Sequence, residues 1–117
     1  MVRVGIIEVA LDPEKVGMIA GKIAQSTKDW DELNWLLAES ELRLFHAYAS
    51  RPKTPIIEIL PPRVQLTPAR IISHPKEDQI RPLAWDVSQY HISTQDLCYF
   101  IAQRRHIYDV VQAGRLK

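Results

Sequence analysis

A small α+β fold is expected from this sequence: one domain over residues 1–117, with a long central helix, a C-terminal helix and a small sheet. Three observations lead to this expectation. A β-branched apolar segment opens the chain, two long segments have the apolar periodicity of helices, and seven of the eight prolines fall between 51 and 82. A chain of 117 residues is long enough for one hydrophobic core but short for two.

The first two predicted elements are a strand and a helix. Residues 2–9 carry apolar side chains on both faces, which is typical of a central strand. Asp12 is a favourable N-cap and Pro13 suits the first helical position, so a helix is predicted to follow. Gly17 and Gly21 fall on one stripe of this helix. Because each mid-helix glycine costs about 1 kcal/mol relative to alanine, we expect another helix or strand to pack closely against them.

The strongest predicted helix begins at the capping-box-like segment that starts with Asp29 and runs to about Ala49. Apolar residues surround most of its circumference, which is typical of a buried helix. We therefore predict that it forms the centre of the fold. Its polar residues persist on one stripe, and His46 on that stripe is predicted to be a surface or capping residue.

The prolines between 51 and 82 predict short elements and turns. The secondary structure of residues 54–62 is an open segment of the prediction, with a helical turn and a strand as its two alternatives. The Thr54-Pro55 start favours a helical turn, whereas the isoleucines favour a strand. Residues 69–72 are predicted to form a short helix.

The last two predicted elements are a strand and a helix. Residues 80–87 are predicted as a strand because apolar side chains alternate from 83 to 87, and Pro82 would confine it to a sheet edge. Ser93 is a favourable N-cap for a final helix that runs to about Ala113, with Gly114 just past its end.

The net charge of +1 hides an uneven distribution. Residues 1–50 hold five Lys/Arg against eight Asp/Glu, residues 51–82 hold six against three, and residues 97–117 hold four against one. Two basic stretches after an acidic half are typical of proteins with a nucleic-acid or acidic-protein partner. A solvated surface with chance clustering explains the charge pattern equally well.

Catalytic and metal-binding patterns are absent from the sequence, so we predict no catalytic residue, no metal site, no cofactor and no enzymatic activity. The four histidines form no HxH, HxxxH or HExxH pair, and the four glycines form no phosphate-binding loop. Cys98 is the single cysteine and falls in the first turn of an apolar helix, where a buried structural role is expected. A small enzyme built on Cys98 with His91 or His106, or on a glutamate such as Glu39, Glu41 or Glu58, is the alternative.

No segment has the roughly 18 consecutive apolar residues that a membrane-spanning helix needs. Glu8 and Asp12 interrupt the apolar N-terminal segment, unlike the order of a secretory signal. With a single cysteine and no disulfide, the sequence predicts a cytoplasmic protein without membrane contact.

Binding to other macromolecules is therefore the predicted activity. Prolines brace the turns in the first basic stretch, and a rigid turn can hold cations in position for phosphate contact. The candidate nucleic-acid-binding residues are Arg51, Lys53, Arg63, Arg70, Arg104 and Arg105.

Residues 30–87 resemble the TPRKB-like, kinase-binding subunits of the KEOPS complex and their archaeal relatives. The resemblance lies in a long helix with Leu36-Leu37-Ala38, a basic turn at Arg51-Pro52-Lys53, the segment Glu58-Ile59-Leu60, and a segment from Gln65 to Ala69 before the last predicted strand. It implies a non-catalytic accessory subunit that contacts tRNA and a small protein kinase during threonylcarbamoylation of adenosine.

The same resemblance implies RNA contact by Arg51 and Lys53 and protein contact by Gly17 and Gly21. A protein-binding or self-associating module without any nucleic-acid role, including a homo-oligomer, is the alternative from a different class. Its support is the apolar richness of the long helix and the presence of three tryptophans in a small chain.

Overall fold

The computed structural model combines two short strands with four α-helices. It describes residues 5–26, 28–48 and 60–115. The elements in chain order are β1 (Ile7–Ala10), α1 (Pro13–Gln25), α2 (Trp30–Phe45), β2 (Arg63–Leu66), a 3₁₀ turn (Pro68–Arg70), α3 (Glu77–Ser88) and α4 (Thr94–Arg115). The predicted α+β class, with a long central helix, a C-terminal helix and a small sheet, is confirmed.

β1 and β2 pair in an antiparallel sheet, with Ile7 opposite Leu66 and Ala10 opposite Arg63. In the described part of the chain this sheet has two strands, and β1 buries Val9 while Ile6 is 61% exposed. The expectation that the first strand is a central strand buried on both faces is therefore wrong for the described residues. β2 was not predicted, and residues 54–59 of the open segment lie outside the described residues.

Three helices begin where the sequence predicted. Asp12 caps α1 by accepting a hydrogen bond from the backbone N–H of Glu14 at 3.0 Å, and Asp29 caps α2 by accepting from Glu32 at 2.8 Å. Ser93 caps α4 in the same way through its hydroxyl. Each cap satisfies a backbone donor that the first helical turn would otherwise leave unpaired.

The segment predicted as a strand at residues 80–87 is instead part of α3. Its buried residues are Ile80 and Val87, which are seven positions apart and share one face of a helix, whereas Trp85 is 64% exposed. The backbone N–H of Lys76 donates to the side chain of Gln79 at 3.0 Å, which fixes the first turn. Helical burial at a spacing of seven therefore overrides the two-residue alternation of the sequence.

Two groups of buried apolar residues fill the interior. The helical cluster joins α1, the first half of α2, α3 and the first half of α4, and contains Val16, Leu33, Leu37, Val87, Leu97 and Ile101. The sheet cluster joins the strands to the later halves of α2 and α4, and contains Val9, Leu44, Val64, Leu66, Ile107 and Val111. α2 and α4 belong to both clusters and so run through the whole domain.

Candidate functional site

Two candidate cations of the proline-rich span, Arg63 and Arg70, lie at the sheet end of the molecule. Arg63 opens β2, where its side chain is 73% exposed and its guanidinium lies 3.8 Å from the carboxylate of Glu8 on β1. Arg70 is exposed in the 3₁₀ turn that follows β2. Arg51 and Lys53 lie outside the described residues.

Arg104 is buried, in contrast to the surface role predicted for it. Its exposure is 2%, its Nε donates to the carboxylate of Glu41 at 2.7 Å, and its Nη1 donates to the carbonyl of Phe100 at 3.0 Å. A charge buried this deeply needs a partner, and the ion pair between α2 and α4 supplies it. The placement of Arg104 therefore does not support its predicted role as a surface contact to nucleic acid.

The helical spacing of α4 contained a signal for this burial. Arg104 falls three residues after Ile101 and seven after Leu97, both of which are buried in the helical cluster. Residues at these spacings share one face of a helix. Arg105, one position further, lies at the edge of that face and is half-buried.

A polar cleft of about 300 Å³ lies between α2 and α4, and we call it the α2–α4 cleft. Its charged and polar lining consists of Glu39, Ser40, Arg43, Arg105, Tyr108 and Asp109. Arg104 also borders it from the interior side. Two predicted site residues, Arg104 and Arg105, are thus brought to one cleft, although only Arg105 is partly exposed there.

Arg43 is a functional candidate that the sequence analysis did not select. Its guanidinium carbon lies 5.3 Å from the centroid of the Tyr108 ring, and one of its nitrogens lies 3.7 Å from the Glu39 carboxylate. Its Nε is buried and has no hydrogen-bond partner among the described residues. The sequence shows that Arg43 belongs to the polar stripe of α2, near the C-terminal end of that helix. It does not indicate that α4 packs beside this end of α2.

Tyr48 also carries a buried polar group, its hydroxyl, and it lies close enough to Glu41 and Arg104 to feel their charges. Its hydroxyl is buried and, within the described residues, has no hydrogen-bond partner. Burial first, and the charge of Glu41 second, raise the pKa of Tyr48 well above its ordinary range, against a smaller opposing effect of Arg104. Tyr48 therefore stays neutral at physiological pH.

Among the described residues, no hydrogen bond joins Cys98 to His91 or His106, the two histidines of the alternative enzyme interpretation. Cys98 is buried on α4, and burial raises the pKa of its thiol, which disfavours the nucleophilic thiolate. His106 is also buried, and its Nε2 accepts a hydrogen bond from the backbone N–H of Asp12 at 3.2 Å. Across residues 5–26, 28–48 and 60–115, no three His, Cys, Asp or Glu residues are grouped to hold a metal ion.

Gly17 and Gly21 lie on an exposed face of α1. A Cβ at either position would meet nothing within 4 Å. The expectation that a second element of the fold packs closely against them is therefore wrong for the described part of the chain. Their predicted contact with a partner protein is not tested by this placement.

Two apolar grooves lie between other pairs of helices. The α1–α4 groove measures about 340 Å³ and is bordered by Lys15, Met18, Ile19, Lys22, Val110 and Ala113. The α2–α3 groove measures about 300 Å³ and is bordered by Leu42, Phe45, Gln79, Pro82, Leu83 and Asp86. Both have the size and composition of sites where apolar side chains of a partner bind.

The fold and these surfaces define a small α+β domain with one polar interhelical cleft and two apolar grooves. Comparison with protein-family models, with curated proteins and with solved structures finds no significant match to this chain. Among the described helices, none combines the length and the apolar character needed to cross a membrane.

Proposed function

We propose that this protein is a non-catalytic binding subunit of an RNA-modifying assembly, contacting tRNA through the α2–α4 cleft and a small kinase through the exposed face of α1. The observation that carries the proposal is that Arg43 and Arg105, from two different helices, line the same cleft beside Tyr108. The resemblance to TPRKB-like subunits gives the assembly its identity in this proposal. The kinase contact corresponds to the candidate residues Gly17 and Gly21.

Guanidinium groups suit phosphate because their N–H donors match two phosphate oxygens at once. The Nη2 of Arg43 lies 3.7 Å from the Glu39 carboxylate, longer than a hydrogen bond, and Arg105 forms no ion pair with any described residue. Contacts with the Tyr108 ring and the Glu39 carboxylate hold the Arg43 side chain, which reduces the entropy that this side chain loses when phosphate binds. The cleft therefore offers donors that the fold itself does not use.

Two carboxylates, Glu39 and Asp109, line the same cleft and limit its positive charge. We therefore expect contact with one or two phosphates at this site rather than with a long stretch of RNA. Each phosphate contact contributes a slope of about −0.7 to −0.9 in log affinity against log salt, so two contacts predict a slope of about −1.4 to −1.8.

The test is fluorescence anisotropy with labelled tRNA, intact and lacking its 3′ end, over a salt series. Arg105→Glu and Arg43→Gln should each weaken binding and reduce the salt slope by about 0.7 to 0.9. Arg81→Glu is the matched control, because Arg81 is exposed on α3 and outside the cleft. An Arg51→Glu/Lys53→Glu variant tests the basic turn separately.

Salt-independent binding, or equal losses in the cleft variants and in Arg81→Glu, would contradict the proposed RNA site. No binding of tRNA at low salt would exclude the RNA contact for the isolated chain. The second candidate function, a protein-binding module with no nucleic-acid role, is favoured by the two apolar grooves. It predicts partner binding with little salt dependence, since an apolar interface releases few counterions.

A further inference from the structure

The α1–α4 groove has two walls with the same helical spacing. Lys15, Met18 and Lys22 lie on the α1 wall at intervals of three and four residues, and Asp109 and Ala113 lie four residues apart on the α4 wall. Residues at these intervals form one stripe along a helix. The α1 wall from Lys15 to Lys22 therefore extends over about two turns, or roughly 10 Å, and the α4 wall has the same length when His106, which also lines the groove, is included.

The apolar part of the groove lining is open to solvent on both helices. Met18 is 64% exposed and Val110 is 38% exposed, so the fold leaves two large apolar side chains in water on facing helices. Exposed apolar residues that share one concave surface are typical of a protein-binding site, in contrast to apolar residues scattered singly.

The rims of the groove carry opposite charges. Lys15 and Lys22 stand seven residues apart on the α1 rim, and Asp109 stands on the α4 rim. None of the three forms an ion pair with a residue that the structure describes. Their charges are therefore available to a ligand whose two edges carry the complementary signs.

We propose that the α1–α4 groove binds an amphipathic helix of another protein, with the acidic edge of that helix along Lys15 and Lys22. A helix places apolar residues on one face at the same spacing as the walls, and its edges can present charges about two turns apart. Gly17 and Gly21 lie beside this stripe without nearby side chains, which leaves room for the ligand backbone. The inference rests on the protein-contact part of the proposed function and is independent of RNA binding.

A second copy of the chain does not provide a matching helix among its described elements. The large apolar residues exposed on helices are Met18, Trp85, Tyr99 and Val110. Tyr99 and Val110 share one face of α4 but lie eleven residues, or about three turns, apart, and no two of the four lie three, four or seven residues apart on one helix. The described helices therefore lack a continuous exposed apolar stripe. We therefore assign the groove to a helix from a different protein.

The test uses a fluorescein-labelled helical peptide of about 18 residues, or five turns. It carries leucines on one face, glutamates along one edge and lysines along the other. A control peptide carries the same leucine face but lysines along both edges, so that it has no acidic edge in either direction along the groove. The protein samples are wild type, Lys15→Glu/Lys22→Glu, and Lys28→Glu/Lys76→Glu, a control with the same change in net charge at exposed positions outside the groove.

Wild type should bind the first peptide better than the control peptide. Lys15→Glu/Lys22→Glu should lose affinity for the first peptide by about tenfold or more, and it should gain affinity for the control peptide. Lys28→Glu/Lys76→Glu should behave as wild type. Methyl resonances of Met18 and Val110 should shift on binding in the wild-type spectrum.

Equal affinity for both peptides, no binding by wild type, or no effect of Lys15→Glu/Lys22→Glu would overturn the proposal. A dimer in sedimentation that Met18→Glu abolishes would assign the groove to a second copy and would overturn it as well. Measuring tRNA binding on the same samples separates the two proposals. Loss of tRNA binding in Lys15→Glu/Lys22→Glu would make the groove an RNA contact, whereas peptide binding without tRNA binding would remove only the RNA role.

Discussion

Glu41 and Arg104 form an ion pair in the interior of the domain, 5% and 2% exposed. The pair joins α2 to α4, and Arg104 also donates to the carbonyl of Phe100. Desolvation of two charges can exceed their attraction, so the pair is weak evidence for stability. The directional hydrogen bond from Arg104 Nε to the Glu41 carboxylate instead helps to align α2 with α4, the two helices that carry Arg43 and Arg105.

Removing one partner of this pair should be costly. Arg104→Met leaves the Glu41 carboxylate buried without its cation, and we expect the free energy of unfolding to fall by about 3–5 kcal/mol. The double variant Glu41→Leu/Arg104→Met should recover most of this loss, because no buried charge remains. Urea unfolding measures the stability of both variants.

Arg81→Ala is the control, because it breaks the exposed pair with Glu77 and should change the free energy of unfolding by about 1 kcal/mol or less. An Arg104→Met loss no larger than that of Arg81→Ala would contradict the buried placement.

Tyr48→Phe should stabilise the domain by about 1 kcal/mol at neutral pH, because it removes a buried hydroxyl that has no partner among the described residues. The pH dependence follows from the raised pKa of Tyr48. Above about pH 10 the unfolded chain loses this proton before the folded chain does, so wild-type stability falls as pH rises. Urea unfolding at neutral pH and near pH 10.5 should therefore show a larger advantage of Tyr48→Phe at the higher pH.

Tyr90→Phe serves as the control for this measurement, since Tyr90 is 50% exposed. The raised pKa of Cys98 also lowers alkaline stability, but it does so equally in wild type and in both variants. An advantage of Tyr48→Phe that stays constant with pH would contradict the burial of the Tyr48 hydroxyl.

At the scale of elements, helices with clear caps were predictable and short or ambiguous segments were not. Asp12, Asp29 and Ser93 identified three helix starts because their side chains satisfy backbone donors locally. α3 was taken for a strand because Leu83 and Val87 fit both a two-residue and a helical period, and tertiary burial decides between the two. β2 has only four residues between proline-rich turns, and its pairing with β1 is a long-range contact that local patterns do not contain.

The candidate site was predictable only in part for the same reason. The sequence shows that Arg104 and Arg105 are adjacent cations on one helix, but neighbouring residues on a helix point about 100° apart. Packing against α2 places Arg104 inside and leaves Arg105 at the cleft. Arg43 gains its significance only because α4 brings Tyr108 against it. Such pairings depend on which helix faces which, and one sequence does not specify that.

The open surroundings of Gly17 and Gly21 give a prediction for α1. Because a Cβ at either position meets nothing within 4 Å, Gly21→Ala should gain helix propensity without steric conflict. We expect the free energy of unfolding to rise by about 0.5–1 kcal/mol per substitution, measured by urea or thermal unfolding. Close packing of another element, as the sequence suggested, would instead make the alanine variants less stable.

At the scale of the whole molecule, α2 and α4 connect the two buried clusters. α4 has 22 residues and is about 33 Å long, with Leu97 and Ile101 in the helical cluster and Ile107 and Val111 in the sheet cluster. Unfolding of α2 or α4 in one cluster therefore removes buried residues from the other cluster as well. The domain should therefore unfold as one cooperative unit, and the sheet should contribute to the stability of helices that it does not touch.

Leu66→Ala tests this coupling. Leu66 is fully buried in the sheet cluster, so the substitution should lower the free energy of unfolding by about 2–5 kcal/mol. Trp30 packs on the helical cluster, and Trp35 and Trp85 lie on α2 and α3, so tryptophan fluorescence reports on the helices. For one cooperative unit, the urea midpoints from fluorescence and from far-UV circular dichroism should fall together, as they should for Leu97→Ala in the helical cluster. A fluorescence midpoint that stays at the wild-type value in Leu66→Ala would mean that the two clusters unfold separately, and that the α2–α4 cleft can form without the sheet.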